Sequence, residues 1–243
     1  MAQLADKVAI ITGAGTGIGK GIAHAFAKEG AKLVLASRKR ENLEATAAEL
    51  APTGATVVVT PTDVTQESEV VALFEKTMQE FGRLDILVNN SGTFDGGPLE
   101  ELSLATWQKV VDVNLTGPFL CSREAMKIMK KQKGGRIINI GSISAQMPRL
   151  NSSPYTTTKH GLVGLTKTTA LEGRPHGVAA SCLHPGNVMT ERRDASDTPQ
   201  DQEPMMDRSE IAKAALAMAS LDPNVNMLEA IVLPVEQLYV GRG

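Results

Sequence analysis

Tyr155 and Lys159 stand four residues apart in Tyr155-Thr-Thr-Thr-Lys159. On a helix, that spacing puts a phenol and an ammonium on one face, a turn from each other. Ser142 precedes the tyrosine by thirteen residues and closes the run Gly134-Gly-Arg-Ile-Ile-Asn-Ile-Gly-Ser142. The run reads as a buried parallel strand, so its last side chain emerges at the strand end, where open α/β sheets bind ligands. A hydroxyl, a phenol and a cation meeting there form a proton-transfer set suited to a carbonyl or an alcohol. A free phenol has a pKa of about 10, and a neighbouring cation favours the phenolate. The competing reading is a solvated surface pair on an ordinary helix. The chain has only two tyrosines, and this one follows a predicted strand end.

The elements that must position these groups follow from the hydrophobic pattern. Short apolar runs at Val8–Thr12, Lys32–Ala36, Thr56–Thr60, Ile86–Asn89, Arg136–Ile140, Ala179–Leu183 and Ala230–Leu233 alternate with helical spacing. Val70, Val71, Phe74, Met78 and Phe81 mark one helical face; Ile211, Ala215 and Met218 mark another. Thr65 and Ser103 are expected as N-caps. The alternation predicts an α/β fold with a doubly wound parallel sheet covered on both faces. At 243 residues the chain is expected to be one domain, 1–243. Residues 190–209 lack an apolar period and read as a substrate lid or a plain loop.

After the first strand comes Thr12-Gly13-Ala14-Gly15-Thr16-Gly17-Ile18-Gly19, followed by helical spacing at Ile22 and Phe26. Glycines there let backbone N–H groups approach an anion at a helix N-terminus, although tight strand-to-helix turns also use glycine for steric reasons alone. The second strand ends in Ser37-Arg38-Lys39-Arg40, where an NAD site usually carries an acid. A 2′-phosphate held by Arg38 and Ser37 favours NADP(H) over NAD(H); the alternative is a solvated basic turn. Asp63-Val64 ends the third strand, where a carboxylate can accept from an adenine amino group. Asn89-Asn90-Ser91-Gly92 ends the fourth, where amides brace the sheet and a glycine leaves room for a cofactor.

Together these residues resemble the short-chain dehydrogenase/reductase superfamily almost end to end. The matches are Thr12-Gly-x-x-x-Gly-x-Gly19, Asp63, Asn89-Asn-Ser-Gly92, Asn114, Ser142, Tyr155-x-x-x-Lys159 and Pro185-Gly186-Asn-Val188-x-Thr190. The resemblance implies a Rossmann-like fold with about seven parallel strands, a nicotinamide cofactor, and a homodimer or homotetramer. It implies Tyr155 as general acid/base, Ser142 polarising the substrate oxygen, Lys159 binding the nicotinamide ribose and Asn114 holding a relay water. Ser91 departs from the usual alanine, Asn187 sits in the Pro-Gly segment, and the tail Val-Leu-Pro-Val-Glu-Gln-Leu-Tyr replaces the frequent D-G-G ending. That tail is similar to NADP-dependent 3-hydroxy-acid dehydrogenases and broad carbonyl reductases.

Composition narrows the remainder. A net charge of −2 leaves no basic field for nucleic acid or anionic membrane, and no apolar run is long enough to span a bilayer. Cys121 and Cys182 are expected to be buried and reduced, and no metal site is expected from the scattered His24, His160, His176 and His184. A cytoplasmic enzyme on a small carbonyl or alcohol is the leading reading. A 3-oxoacyl thioester reductase and a non-catalytic NADP-sensing regulator are the alternatives. The pocket mouth is expected near Phe94, Ile143, Ala145, Met147, Val188 and Met189, with Met205 and Met206 on the possible lid. Arg149, Arg192 or Arg193 is available to a carboxylate.

Overall fold

The computed structural model describes residues 2–191 and 203–239. Seven parallel strands form one sheet: β1 (Val8–Thr12), β2 (Lys32–Ser37), β3 (Val57–Pro61), β4 (Ile86–Asn89), β5 (Gly135–Ile140), β6 (Val178–Pro185) and β7 (Glu229–Val232). Their order across the sheet is β3-β2-β1-β4-β5-β6-β7, and each boundary lies within two residues of the sequence-based expectation. The connections are α1 (Gly17–Lys28), α2 (Arg40–Leu50), α3 (Glu67–Phe81), α4 (Leu104–Val111), α5 (Gly117–Gln132), α6 (Ser153–Gly173) and α7 (Arg208–Ser220). This is the doubly wound fold that the alternation implied, Rossmann-like as the resemblance implied.

Because alternate strand residues face opposite sides, the inner strands feed two cores. Ala9, Ile11, Leu33, Leu35, Ile86, Val88 and Ile138 join Ile22 and Phe26 of α1 with Ile211, Ala215 and Met218 of α7. Ile10, Val34, Leu87 and Ile137 join Val70, Leu73 and Phe74 of α3 with Leu120 and Met129 of α5. Residues buried on both faces explain why the strands read as continuous apolar runs rather than alternating ones.

The strand order reverses between β1 and β4, and side chains lock that crevice. Thr12 Oγ1 accepts from the N–H groups of Asn90 and Ser91, each at 3.0 Å. Asn90 Nδ2 donates back to the carbonyls of Thr12 and Gly13 at 2.9 and 3.1 Å. Gly13 turns the chain at φ +64°, and a side chain at Gly19 would overlap the Gly13 carbonyl at 2.4 Å, so the backbone itself requires glycine at both positions.

Two expectations are corrected. Ser103 caps α4, accepting from Thr106 N–H at 3.1 Å, but Thr65 does not cap α3. Gln66 holds the cap position, while Thr65 donates both its N–H and its hydroxyl to Asp63 Oδ1 at 3.0 and 2.8 Å; the ionised carboxylate is the stronger acceptor. The segment read as irregular from 190 to 209 is also partly ordered. Val188 and Met206 pair as a parallel bridge, and α7 begins at Arg208 with Asp207 as its cap. Residues 192–202, including Arg192 and Arg193, lie outside the described residues.

Phe26 is fully buried between the sheet and α7. Phe26→Ala is expected to destabilise the fold by about 3–5 kcal/mol, read as a lower urea midpoint with an unchanged slope.

Candidate active site

The carboxyl ends of β4, β5 and β6 and the start of α6 surround a hollow of about 400 Å³ lined in part by Ser142, Tyr155, Lys159, Pro185, Gly186 and Val188. Ser142 stands two residues past Ile140, the last residue of β5, and opens a short 3-10 turn, Ile143–Ala145. Its Oγ accepts from Ser144 N–H at 3.1 Å, so one lone pair is filled and the hydroxyl hydrogen remains available to donate. Tyr155 is in the first turn of α6, half-buried, with Phe94 edge-on at a ring separation of 5.2 Å.

Lys159 lies a turn further on, only 6% exposed. Its Nζ donates to the Ile140 carbonyl at 2.8 Å and lies 5.5 Å from the centre of the Tyr155 ring. Among the described residues no carboxylate pairs with it. A buried ammonium without a counter-charge is costly, which argues against the surface-pair reading.

Asn114 stands behind this set on a π-helical turn, Asp112–Thr116, between α4 and α5. Its amide is clamped to both backbone groups of Thr93 at 2.8 Å and reaches Thr158 Oγ1 at 3.4 Å. The amide therefore ties the loop after β4 to the helix that carries Tyr155 and Lys159.

The hollow continues past Ile18, Asn90, Gly92 and Thr190 into a second one of about 520 Å³ over the glycine turn. Gly13, Gly15, Thr16, Gly17, Ser37, Arg38, Lys39 and Ser91 line it. A third of about 210 Å³ shares Gly13, Ser37, Arg38, Ser91 and Gly92 and adds Asp63 and Val64. Gly19 lines none of the three; it packs under the turn against Asn90 and Gly13. Sequence reasoning missed Asn42 beside Gly15, and Thr62, Lys109 and Val113 at the far end. Asn42 and Thr62 lie near a helix start and a strand end, whereas Lys109 in the last turn of α4 and Val113 in the π-helical turn carry no such signal.

Of the expected pocket-mouth residues, Phe94, Ile143 and Val188 line the first hollow, whereas Ala145, Met147 and Met189 are outside its lining. Ala145 is buried beneath it, while Met147 and Met189 point to the surface. Arg149 reaches its wall, where Nη2 lies 3.2 Å from both Asn187 Oδ1 and Glu203 Oε2.

One carboxylate occupies a telling position. Glu191 Oε2 accepts from Gly17 N–H at 2.8 Å, at the positive end of α1, and its other oxygen pairs with Arg208. Burial pushes its pKa upward, but hydrogen bonds from its own N–H, Arg208 and Gly17 outweigh that and hold the carboxyl below its ordinary value. Both cysteines are buried and free; burial pushes the Cys121 thiol up to about 12 and the Cys182 thiol to about 11. Neither is a thiolate nucleophile at neutral pH.

A parallel sheet of this order, with a serine, a tyrosine and a lysine at one strand end beside a glycine-lined groove, defines a dinucleotide-dependent oxidoreductase. The model of the family described as short chain dehydrogenase matches residues 7–201. An uncharacterized oxidoreductase of Bacillus subtilis (strain 168) is 43% identical over 76% of this chain and 72% of its own. A 3-oxoacyl-[acyl-carrier-protein] reductase of Synechocystis is 38% identical over 79% of this chain and 78% of its own. The structure of an alcohol dehydrogenase from the archaeon Thermococcus sibiricus, complexed with 5-hydroxy-NADP, superposes with a TM-score of 0.87 at 30% identity, covering 95% of this chain and 97% of that one. The chain belongs to the short-chain dehydrogenase family, oxidoreductases that use NAD(H) or NADP(H).

The groove fits such a cofactor. Its glycine turn presents α1's N-terminal N–H groups, and the carboxylate already seated on Gly17 demonstrates that an anion is accepted there. The Glu191 contact forms in the ionised state, so it is complete at neutral pH and is lost as pH falls through its lowered pKa. Glu191→Ala is expected to tighten NADPH binding about threefold to tenfold at pH 7, measured as the dissociation constant by nicotinamide fluorescence. The advantage should persist in mildly acidic buffer and shrink only as the pH falls below the ordinary glutamate range.

Proposed function

We propose that this enzyme transfers a hydride between NADP(H) and a medium-sized carbonyl compound or its secondary alcohol: a ketone, an aldehyde or a 3-oxo acid. The observation that carries the reading is the convergence of Tyr155, Lys159 and Ser142 on one hollow that opens into the glycine-lined groove. The nicotinamide supplies the hydride. In the reducing direction Tyr155 gives its phenolic proton to the substrate oxygen, and the Ser142 hydroxyl donates a hydrogen bond that strengthens as charge builds there. Lys159 places its positive charge under the tyrosine ring and reaches toward the ribose. Asn114 keeps the loop after β4 in register with α6, and a relay water beside it would connect the lysine to solvent. Gly13, Gly15, Thr16, Gly17 and Ile18 would hold the pyrophosphate. Asp63 and Val64 would hold the adenine, and Pro185, Gly186, Val188 and Thr190 the nicotinamide end.

The preference for NADP(H) rests on charge. Arg40 pairs with Glu44 on its own helix, whereas Arg38 and Lys39 make no ion pair among the described residues and are exposed at the groove's edge. Two unpaired cations beside the Ser37 hydroxyl suit a 2′-phosphate. The hollow's apolar wall of Phe94, Ile143 and Val188, with Arg149 already paired to Glu203, favours a substrate without net charge at its reacting end.

The second reading, reduction of a 3-oxoacyl thioester, is favoured by the likeness to the Synechocystis reductase. Among the described residues no helix is long and apolar enough to cross a membrane; we assign the enzyme to the cytoplasm. A homodimer or homotetramer of the single domain 1–243 completes the proposal; most of the possible lid or loop, 190–209, lies outside the described residues.

A panel of ketones, aldehydes, 3-oxo acids and pantetheine-linked 3-oxoacyl thioesters, followed at the nicotinamide absorbance band, separates the two readings. Tyr155→Phe should lower turnover by about a hundredfold or more while the NADPH dissociation constant stays within about twofold. Turnover near the parent rate would remove the tyrosine from the chemistry. Arg38→Ala should weaken NADPH by about tenfold and leave NADH almost unchanged, and equal losses would mean that the basic turn does not read the phosphate.

A further inference from the structure

Beneath Ser142 lies a histidine that none of the chemistry above uses. His184 is completely buried near the end of β6, one residue before Pro185-Gly186. Its Nδ1 is 3.0 Å from the Ser142 carbonyl oxygen and 3.4 Å from the Ser142 nitrogen. A neutral ring nitrogen cannot donate to the first and accept from the second at once. The shorter contact assigns the hydrogen to Nδ1, donating to the carbonyl. That oxygen also accepts from Ala145 N–H at 2.9 Å, so both its lone pairs are engaged.

The rest of the ring is equally constrained. Nε2 is buried and has no hydrogen-bond partner. The carboxylate of Glu229 on β7 is 3.8 Å away and is drawn off by Lys167 of α6 at 2.7 Å. Lys159, also on α6, is a second cation near the ring. Burial above all holds the imidazole below its ordinary pKa, so it is neutral around pH 7. The chain also leaves room for the ring: a side chain at Gly141 would come within 2.6 Å of His184 Nδ1 and 2.9 Å of Cys182 Sγ.

We propose that His184 is a positioning residue: its Nδ1–H fixes the Ser142 carbonyl and so aims the serine hydroxyl at the substrate oxygen. The proposal rests on the carbonyl reduction inferred above. Ser142 Oγ is tied to Ser144 N–H within the same short turn, so the direction of its hydrogen follows the orientation of that turn. His184 also connects covalently to Pro185-Gly186, which line the same hollow. One side chain thereby sets the spacing between the serine and the segment opposite it. A small error in such a spacing is expensive in rate.

The test compares His184→Leu, which removes the donor, with His184→Asn, which keeps an N–H close to the place of Nδ1. On the best substrate of the carbonyl panel, His184→Leu should lower kcat about tenfold, with KM and the NADPH dissociation constant within about twofold. His184→Asn should recover most of that loss. In a Ser142→Ala background His184→Leu should cost nothing further, which a merely structural role would not produce. Equal losses in both backgrounds, no rescue by asparagine, or a loss confined to NADPH binding would overturn the proposal. If the leucine variant does not fold, the asparagine variant and the ring's nitrogen spectrum in the parent enzyme decide. The spectrum should show a proton on Nδ1 and none on Nε2 at neutral pH, and the reverse tautomer would overturn the assignment. A parent enzyme inactive on the whole panel would refute the carbonyl reduction instead, and the same spectrum would still decide the hydrogen bond.

Discussion

The ammonium of Lys159, held by the carbonyl of Ile140, is the contact on which the site depends. β5 pairs with β6 as far as Ile140 and Leu183, and at that point its carbonyl becomes available to a side chain. A lysine on α6 takes it, which pins the helix to the strand end and fixes Tyr155 one turn earlier. The ammonium is almost wholly buried, and no carboxylate among the described residues offsets it. Desolvation of this kind is tolerated where the charge is needed, and here it lies under the one half-buried phenol of the hollow.

Polar side chains then join the strand ends into a rigid floor. Thr12 and Asn90 close the crevice between β1 and β4. Asn89 Nδ2 donates to Asn139 Oδ1 and Ser122 Oγ, and Asn139 Nδ2 donates to Thr166 Oγ1, which links β4, β5, α5 and α6. His184 adds the last joint, between β6 and the serine turn. Buried polar groups are cheap only when they are partnered, and a connected set of them allows one arrangement where an apolar floor would allow several.

The charges of the groove are arranged by competition. Arg38 and Lys39, without an ion pair among the described residues, stand at its outer edge, and the carboxylate of Glu191 sits on the helix terminus at its centre. Glu191 is on the same stretch as Thr190 and pairs with Arg208 at the start of α7. An anion that enters the glycine turn meets that carboxylate at the Gly17 N–H, so the two compete for one donor.

The sequence by itself determined the sheet, because seven short apolar runs, the inner ones buried on both faces, satisfy their backbone by pairing. It also singled out Ser142, Tyr155 and Lys159, which the fold brings to one hollow, since a tyrosine and a lysine at helical spacing after a serine at a strand end retain that relation however the helix packs. It misjudged Thr65, where an i,i+2 carboxylate outbid the helix cap, and it read the approach to α7 as irregular, since the bridge between Val188 and Met206 joins positions distant in the chain. Tertiary structure alone decided the rest. Nothing in a lone histidine beside a proline distinguishes a packed core residue from one that holds a reactive serine. Nothing in a glutamate within an acidic and basic stretch reveals that it seats on a glycine far away in the chain. Contacts of that range carry no local periodicity, and they form only once the parallel strands have brought their carboxyl ends to one edge.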